Sequence, residues 1–130
     1  MSFLKKFLAG DIPAADFHHV DHMRAGYELL RAMDFLDAVS AYGRALKIMT
    51  ARVGKPEKLH HTITIAFLAV IADRMEQAPH GDFDSFFAAN PDLMDRAILS
   101  RWYKPDRLKS DAARSRFVLP DPAWPSARDQ

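Results

Sequence analysis

The chain has 130 residues, enough for one packed domain, and 48% of them are hydrophobic, an ordinary share for a globular protein. The formal net charge of +1 argues against a dedicated nucleic-acid binder, which carries a basic surplus. The absence of cysteine excludes disulfides, thiolate metal sites and cysteine nucleophiles, and it suits a reducing cytoplasm.

Glycine and proline divide the sequence into helix-sized pieces. Residues 1–15 read as an N-terminal helix and linker: Ser2 caps a short amphipathic helix ending at Gly10, and the stretch through Pro13 is the linker. No long apolar stretch follows Lys5 and Lys6, so a signal peptide is not expected. Asp16 is the expected N-cap of a helix running to about Met33, with His19, His22, Gly26, Leu29 and Leu30 on one face. Asp34 caps a third helix, Phe35 to about Val53, with Gly54 as its C-terminal stop. No proline or glycine forces the break at Asp34, so one long helix is the alternative.

Pro56 fits the first turn of a fourth helix that reaches Ala78, before Pro79. Its segment Ile63–Ala72 is apolar on nearly all sides, which marks the most buried helix, and it is too short to span a bilayer. The β-branched run Thr62–Ile65 would also suit a strand, but the segment's length favours a helix. Asp82 caps a short helix over Phe83–Ala89, Asn90-Pro91 opens another to about Tyr103, and Ser110 starts a last turn. Residues 119–130 carry three prolines and read as an extended tail that Trp124 pins down. The expected fold is therefore all-α, a single-domain bundle of about five or six helices spanning residues 1–130 with a proline-rich tail.

Five of the six histidines fall in two clusters, His18, His19 and His22, then His60 and His61. Helices joined by short loops pack as antiparallel neighbours, so the second and fourth helices start at the same end of the bundle. His19 and His60 each lie about three residues into their helices, on the order of 5 Å from the end. His22, at i,i+3 from His19, shares its inward face. Three imidazoles at one point make a metal site with a fourth position open for water or substrate. The expected cofactor is one divalent transition metal, zinc or iron foremost, with Glu28 or Asp95 as an added carboxylate ligand and Thr64 in support. Helix N-termini favour neutral imidazole and an anionic ligand, so the expected substrate is a small anionic molecule. The plainer reading is that paired histidines at helix starts are surface or satisfied core residues; His18, His61 and His80 fit it best.

The runs Phe17-His18-His19-Val20-Asp21-His22, His60-His61-Thr62-Ile63-Thr64 and Leu99-Ser100-Arg101-Trp102-Tyr103, followed by Ala112-Ala113-Arg114 and Pro120-Asp121, resemble a family of small bacterial proteins to which no reaction is assigned. The shared pattern is F-x-H-x-x-H, H-x-T-x-T and L-x-x-[YW]-Y, over residues 17 to 122. The resemblance implies that His19, His22 and His60 are the functional histidines, supported by Thr62, Thr64, Arg101 and Tyr103.

Two function classes follow. The first is a histidine-ligated, metal-dependent cytoplasmic enzyme, in which the metal activates water or polarises a carbonyl. Tyr27, Glu28 and Tyr103 are its candidate proton carriers, and Arg101 and Thr64 its substrate contacts. Hydrolase, lyase and oxygen chemistry stay open. The second is a non-enzymatic interaction module: Asp34–Leu46 resembles the middle of a tetratricopeptide repeat, with Ala38, Ala41 and Ala45 at a close helix contact, although no second copy occurs. The basic and aromatic residues of 101–116 favour a solvated charged face over nucleic-acid binding. No membrane contact is expected, and the third or last helix offers a face for a homodimer.

Overall fold

The computed structural model describes residues 2–122, and its local boundaries follow from capping chemistry. Helix α1 (Phe3–Leu8) begins where the Ser2 hydroxyl accepts from the Lys5 amide at 3.2 Å. Gly10 follows with φ of +71°, and a Cβ there would collide with Ile48, so the turn lies flush on α3. Helix α2 (His19–Ala32) starts two residues later than an N-cap at Asp16 predicts, with His18 as its N-cap. A 3₁₀ turn over Ala14–Asp16 intervenes, and the Asp21 carboxylate accepts from the His18 amide at 2.9 Å to fix the start.

The break at Asp34 is real. Its carboxylate accepts from the Asp37 amide at 2.9 Å, capping α3 (Phe35–Arg52) as a separate helix. Gly54 ends α3 with φ of +68°, as expected of a residue in the left-handed region. Pro56, by contrast, does not open α4. It sits in a 3₁₀ turn over Pro56–Lys58, and α4 (His61–Gln77) begins after His60. The β-branched run is helical throughout, and the Thr64 hydroxyl donates back to the His60 carbonyl at 2.7 Å.

Asp82 caps α5 (Phe83–Ala89) through the Ser85 amide at 2.8 Å. The single helix expected from Pro91 to Tyr103 is instead two 3₁₀ turns, Pro91–Met94 and Ile98–Arg101. Arg74 of α4 grips both carboxylate oxygens of Asp92, at 2.8 and 2.6 Å, and the Asp95 carboxylate folds back onto the Ala97 amide at 2.9 Å. Side-chain bonds of this kind compete with helix propagation. Two short helices close the described chain, α6 (Pro105–Leu108), which the sequence reading did not anticipate, and α7 (Asp111–Ser115), capped by Ser110. The described residues thus form seven α-helices and no strand, so the fold is all-α. The predicted role of Trp124 lies outside the described residues.

Two apolar clusters hold the elements together. One joins Phe7, Phe17, Ala25, Leu29, Ala38, Tyr42, Ala45, Met49 and Leu68 across α1–α4. The other joins Met23, Tyr27, Phe67, Val70, Ile71 and Phe86 to residues of the C-terminal third. Helix α4 supplies Leu68 to the first and Phe67 to the second, which explains why its sequence is apolar on nearly all sides. Gly26 lets α2 touch α4: a Cβ there would stand 2.9 Å from Leu68 Cδ2 and 3.0 Å from Ile71 Cδ1. Each large apolar side chain fully buried in this way contributes about 1.5–3 kcal/mol. No helix among the described residues is long and apolar enough to cross a membrane.

The C-terminal segment is strapped onto this frame. The buried Thr62 hydroxyl donates to the Arg116 carbonyl at 2.8 Å and accepts from the Val118 amide at 3.0 Å. Tyr103 and Arg107 hold the Val118 and Leu119 carbonyls at 2.9 and 2.7 Å.

Candidate functional site

A cleft of about 640 Å³ opens where α2 begins, α3 ends and α4 begins. Phe17, His18, His19 and His22 line it from the start of α2, and Tyr42, Leu46, Met49 and Thr50 from α3. Lys58, His60, Ile63, Thr64 and Phe67 line it from the approach to α4 and its first turns. Arg96, Ile98 and Leu99 form a further wall. This convergence is the one that an up-down-up order of α2, α3 and α4 predicts. The lining is mostly apolar, carries two permanent cations, Lys58 and Arg96, and includes no carboxylate.

His19 is the first residue of α2. Its Nε2 lies 2.9 Å from the Leu93 carbonyl, an oxygen that can only accept. The neutral ring therefore carries its hydrogen on Nε2, and Nδ1 keeps a lone pair with no protein partner among the described residues. One turn further in, His22 Nδ1 stands 2.9 Å from the Tyr42 hydroxyl. That hydroxyl donates to the His22 carbonyl at 3.4 Å, which leaves its oxygen to accept from His22 Nδ1. His22 Nε2 likewise has no protein partner among the described residues.

Burial holds His22 in its neutral form, lowering its pKa from 6.5 to about 4. The neighbouring His19 and the Arg96 charge push in the same direction, and Asp21 opposes them. Tyr42 is fully buried, and burial pushes its phenol well above the usual tyrosine range, so it stays an O–H group. Phe17 packs edge-on against the His22 ring with centroids 4.4 Å apart, and the His19 and His22 centroids are 6.4 Å apart.

His60 plays a different part from the one its sequence position suggested. It is the N-cap of α4 rather than a residue inside the helix. Its Nδ1 accepts from the Ile63 amide at 3.0 Å, and its Nε2 donates to the Leu108 carbonyl at 2.7 Å. Both ring nitrogens are thus engaged, one in capping α4 and the other in tying it to the last residue of α6. No group of three or more His, Asp or Glu among the described residues is disposed to hold a metal ion. Of His19, His22 and His60, only His19 Nδ1 and His22 Nε2 remain unengaged. The donor set therefore does not fit the three-histidine centre read from the sequence.

The remaining predicted residues scatter. Thr64 lines the cleft, with its hydroxyl engaged by the His60 carbonyl. Glu28 pairs with Arg24 at 2.7 Å, and Tyr27 donates to the His80 carbonyl at 3.1 Å; both line a separate hollow beside α5. Asp95 caps its own turn. Arg101 reaches Asp92 at 3.3 Å, outside the cleft, and Tyr103 is fixed to Val118. Apart from Thr64, none of these residues lines the histidine cleft. Sequence reasoning missed Tyr42, Lys58 and Arg96. Tyr42 had a signal in the form of a lone aromatic hydroxyl on the alanine-rich face of α3; the two cations had none. No protein family matches this chain, nor does any curated protein or solved structure.

Proposed function

We propose that the cleft is a small-molecule site in which His19 and His22 carry out acid–base chemistry on an anionic or carbonyl-bearing ligand. One observation carries this reading: two imidazoles with one unpartnered nitrogen each share an apolar cleft. His19 Nδ1 and His22 Nε2 are both placed to exchange a proton with a bound ligand. The apolar walls weaken the solvation that would compete for these nitrogens. The buried Tyr42 hydroxyl orients His22 without itself ionising. Lys58 and Arg96, with no carboxylate in the lining, favour a ligand bearing negative charge.

Titration of the protein with 3-phenylpropionate, followed by NMR of the histidine side chains, tests this reading. The expected result is a shift of the His19 and His22 ring signals, with binding weakened about tenfold or more in Arg96→Gln and His22→Asn. Unchanged ring signals, or equal binding by a folded His19→Ala/His22→Ala variant, would sink the reading and turn attention to a helical interaction module.

A further inference from the structure

A second, smaller hollow of about 260 Å³ lies on the other side of Leu59 and Thr64, between α3 and the start of α4. Its polar lining is Ser40, Arg44 and Lys47 on one face of α3, with His61 and Thr64 opposite on α4. Three features at this spot run against the stability of the isolated helix. Arg44 and Lys47 are exposed like charges at i,i+3, a spacing that brings them together and makes them repel. Neither has a carboxylate partner among the described residues, and the one bond of Arg44 is a long 3.5 Å contact to Ser40. Beside Arg44 in the lining is Gly43, in the interior of an 18-residue helix.

Gly43 has no conformational reason to be glycine, because its φ is not positive. It has no packing reason either: a Cβ built there meets nothing within 4 Å, whereas at Gly26 the Cβ would strike α4. A glycine in a helix interior is among the least favourable residues for the helix. What its missing side chain does supply is an open floor to the hollow. Local rules broken together at one place mark a functional site.

We infer that this hollow binds the phosphoryl group of a small molecule, held between Arg44 and Lys47 over the bare backbone of Gly43, with His61 opposite. Two fixed cations match a phosphoryl dianion better than a carboxylate, and the Arg44 guanidinium offers paired N–H donors. The apolar Val39, Leu59 and Ile65 leave room for carbon attached to the phosphate. The inference is independent of the histidine cleft, since none of its charged residues lines that cleft.

The test is calorimetric titration of the full chain with phenyl phosphate, inorganic phosphate and benzylamine. Phenyl phosphate is expected to bind, and benzylamine not at all. Inorganic phosphate weaker than phenyl phosphate by about tenfold or more identifies an organic phosphomonoester as the source, and equal binding identifies free phosphate. Arg44→Gln/Lys47→Gln is expected to weaken binding about a hundredfold. Gly43→Leu is expected to abolish it while raising Tm by about 3 °C, which separates blockage from misfolding. Failure of both phosphates to bind, or full binding by either hollow variant, overturns the proposal.

Discussion

Lowering the pH loads a proton onto His22 only at a cost to the fold, and that cost can be worked out. Its pKa falls from 6.5 in the unfolded chain to about 4 in the native one, chiefly through burial. Each unit corresponds to roughly 1.4 kcal/mol, so the whole difference is about 3 kcal/mol. The sign follows from proton uptake. Below pH 6.5 the unfolded chain binds the proton and the native chain does not, so stability falls as pH falls. The loss runs from pH 6.5 down to about 4 and then levels off. Between pH 7 and pH 5 this one group removes about 2 kcal/mol of stability. Urea unfolding at several pH values, on wild type and His22→Asn, isolates it, because asparagine keeps a polar partner for Tyr42 but cannot titrate. The wild-type curve is expected to drop more steeply than that of the variant across the window. Parallel curves, or an NMR titration placing His22 near 6.5, would refute the burial argument and weaken the case for a neutral imidazole in the cleft.

Three further substitutions probe the frame around the cleft. His60→Ala removes the cap of α4 and its tie to Leu108, at an expected cost of about 2 kcal/mol in chemical denaturation; His60→Asn, a good capping residue, recovers about half. Thr62→Val leaves the Val118 amide and the Arg116 carbonyl without their partner and is expected to cost about 3 kcal/mol, with faster amide exchange at Val118, while Thr62→Ser costs about 1 kcal/mol. Gly26→Ala forces a methyl against Leu68 and Ile71 and is expected to lower stability by about 1 kcal/mol despite alanine's helix propensity. The opposite sign is expected for Gly43→Ala.

Much of the architecture was legible because it rests on short-range chemistry. Ser2, Asp34, Asp82 and Ser110 all cap the helices assigned to them, and Gly54 stops α3, since each acts on amides or angles within a few residues. What was not legible depends on partners far along the chain. The stretch after Pro91 looked like one helix until Arg74, 18 residues away, took hold of Asp92. His19, His22 and His60 line one cleft, and the bonds of two of them run to the Leu93 carbonyl, 74 residues from His19, and the Leu108 carbonyl, 48 residues from His60. No local pattern carries that information. Nor does it reveal that Tyr103, Arg101 and Glu28 are bonded to Val118, Asp92 and Arg24.

Helix α4 touches both apolar clusters at once, with Leu68 in one and Phe67, Val70 and Ile71 in the other. Neither cluster can open without stripping cover from the same helix, so loss of one half deprives the other of its support. The clusters are therefore coupled in unfolding, and the chain should melt in one all-or-none step rather than cluster by cluster. Calorimetric and van't Hoff enthalpies that agree would be the signature of that coupling.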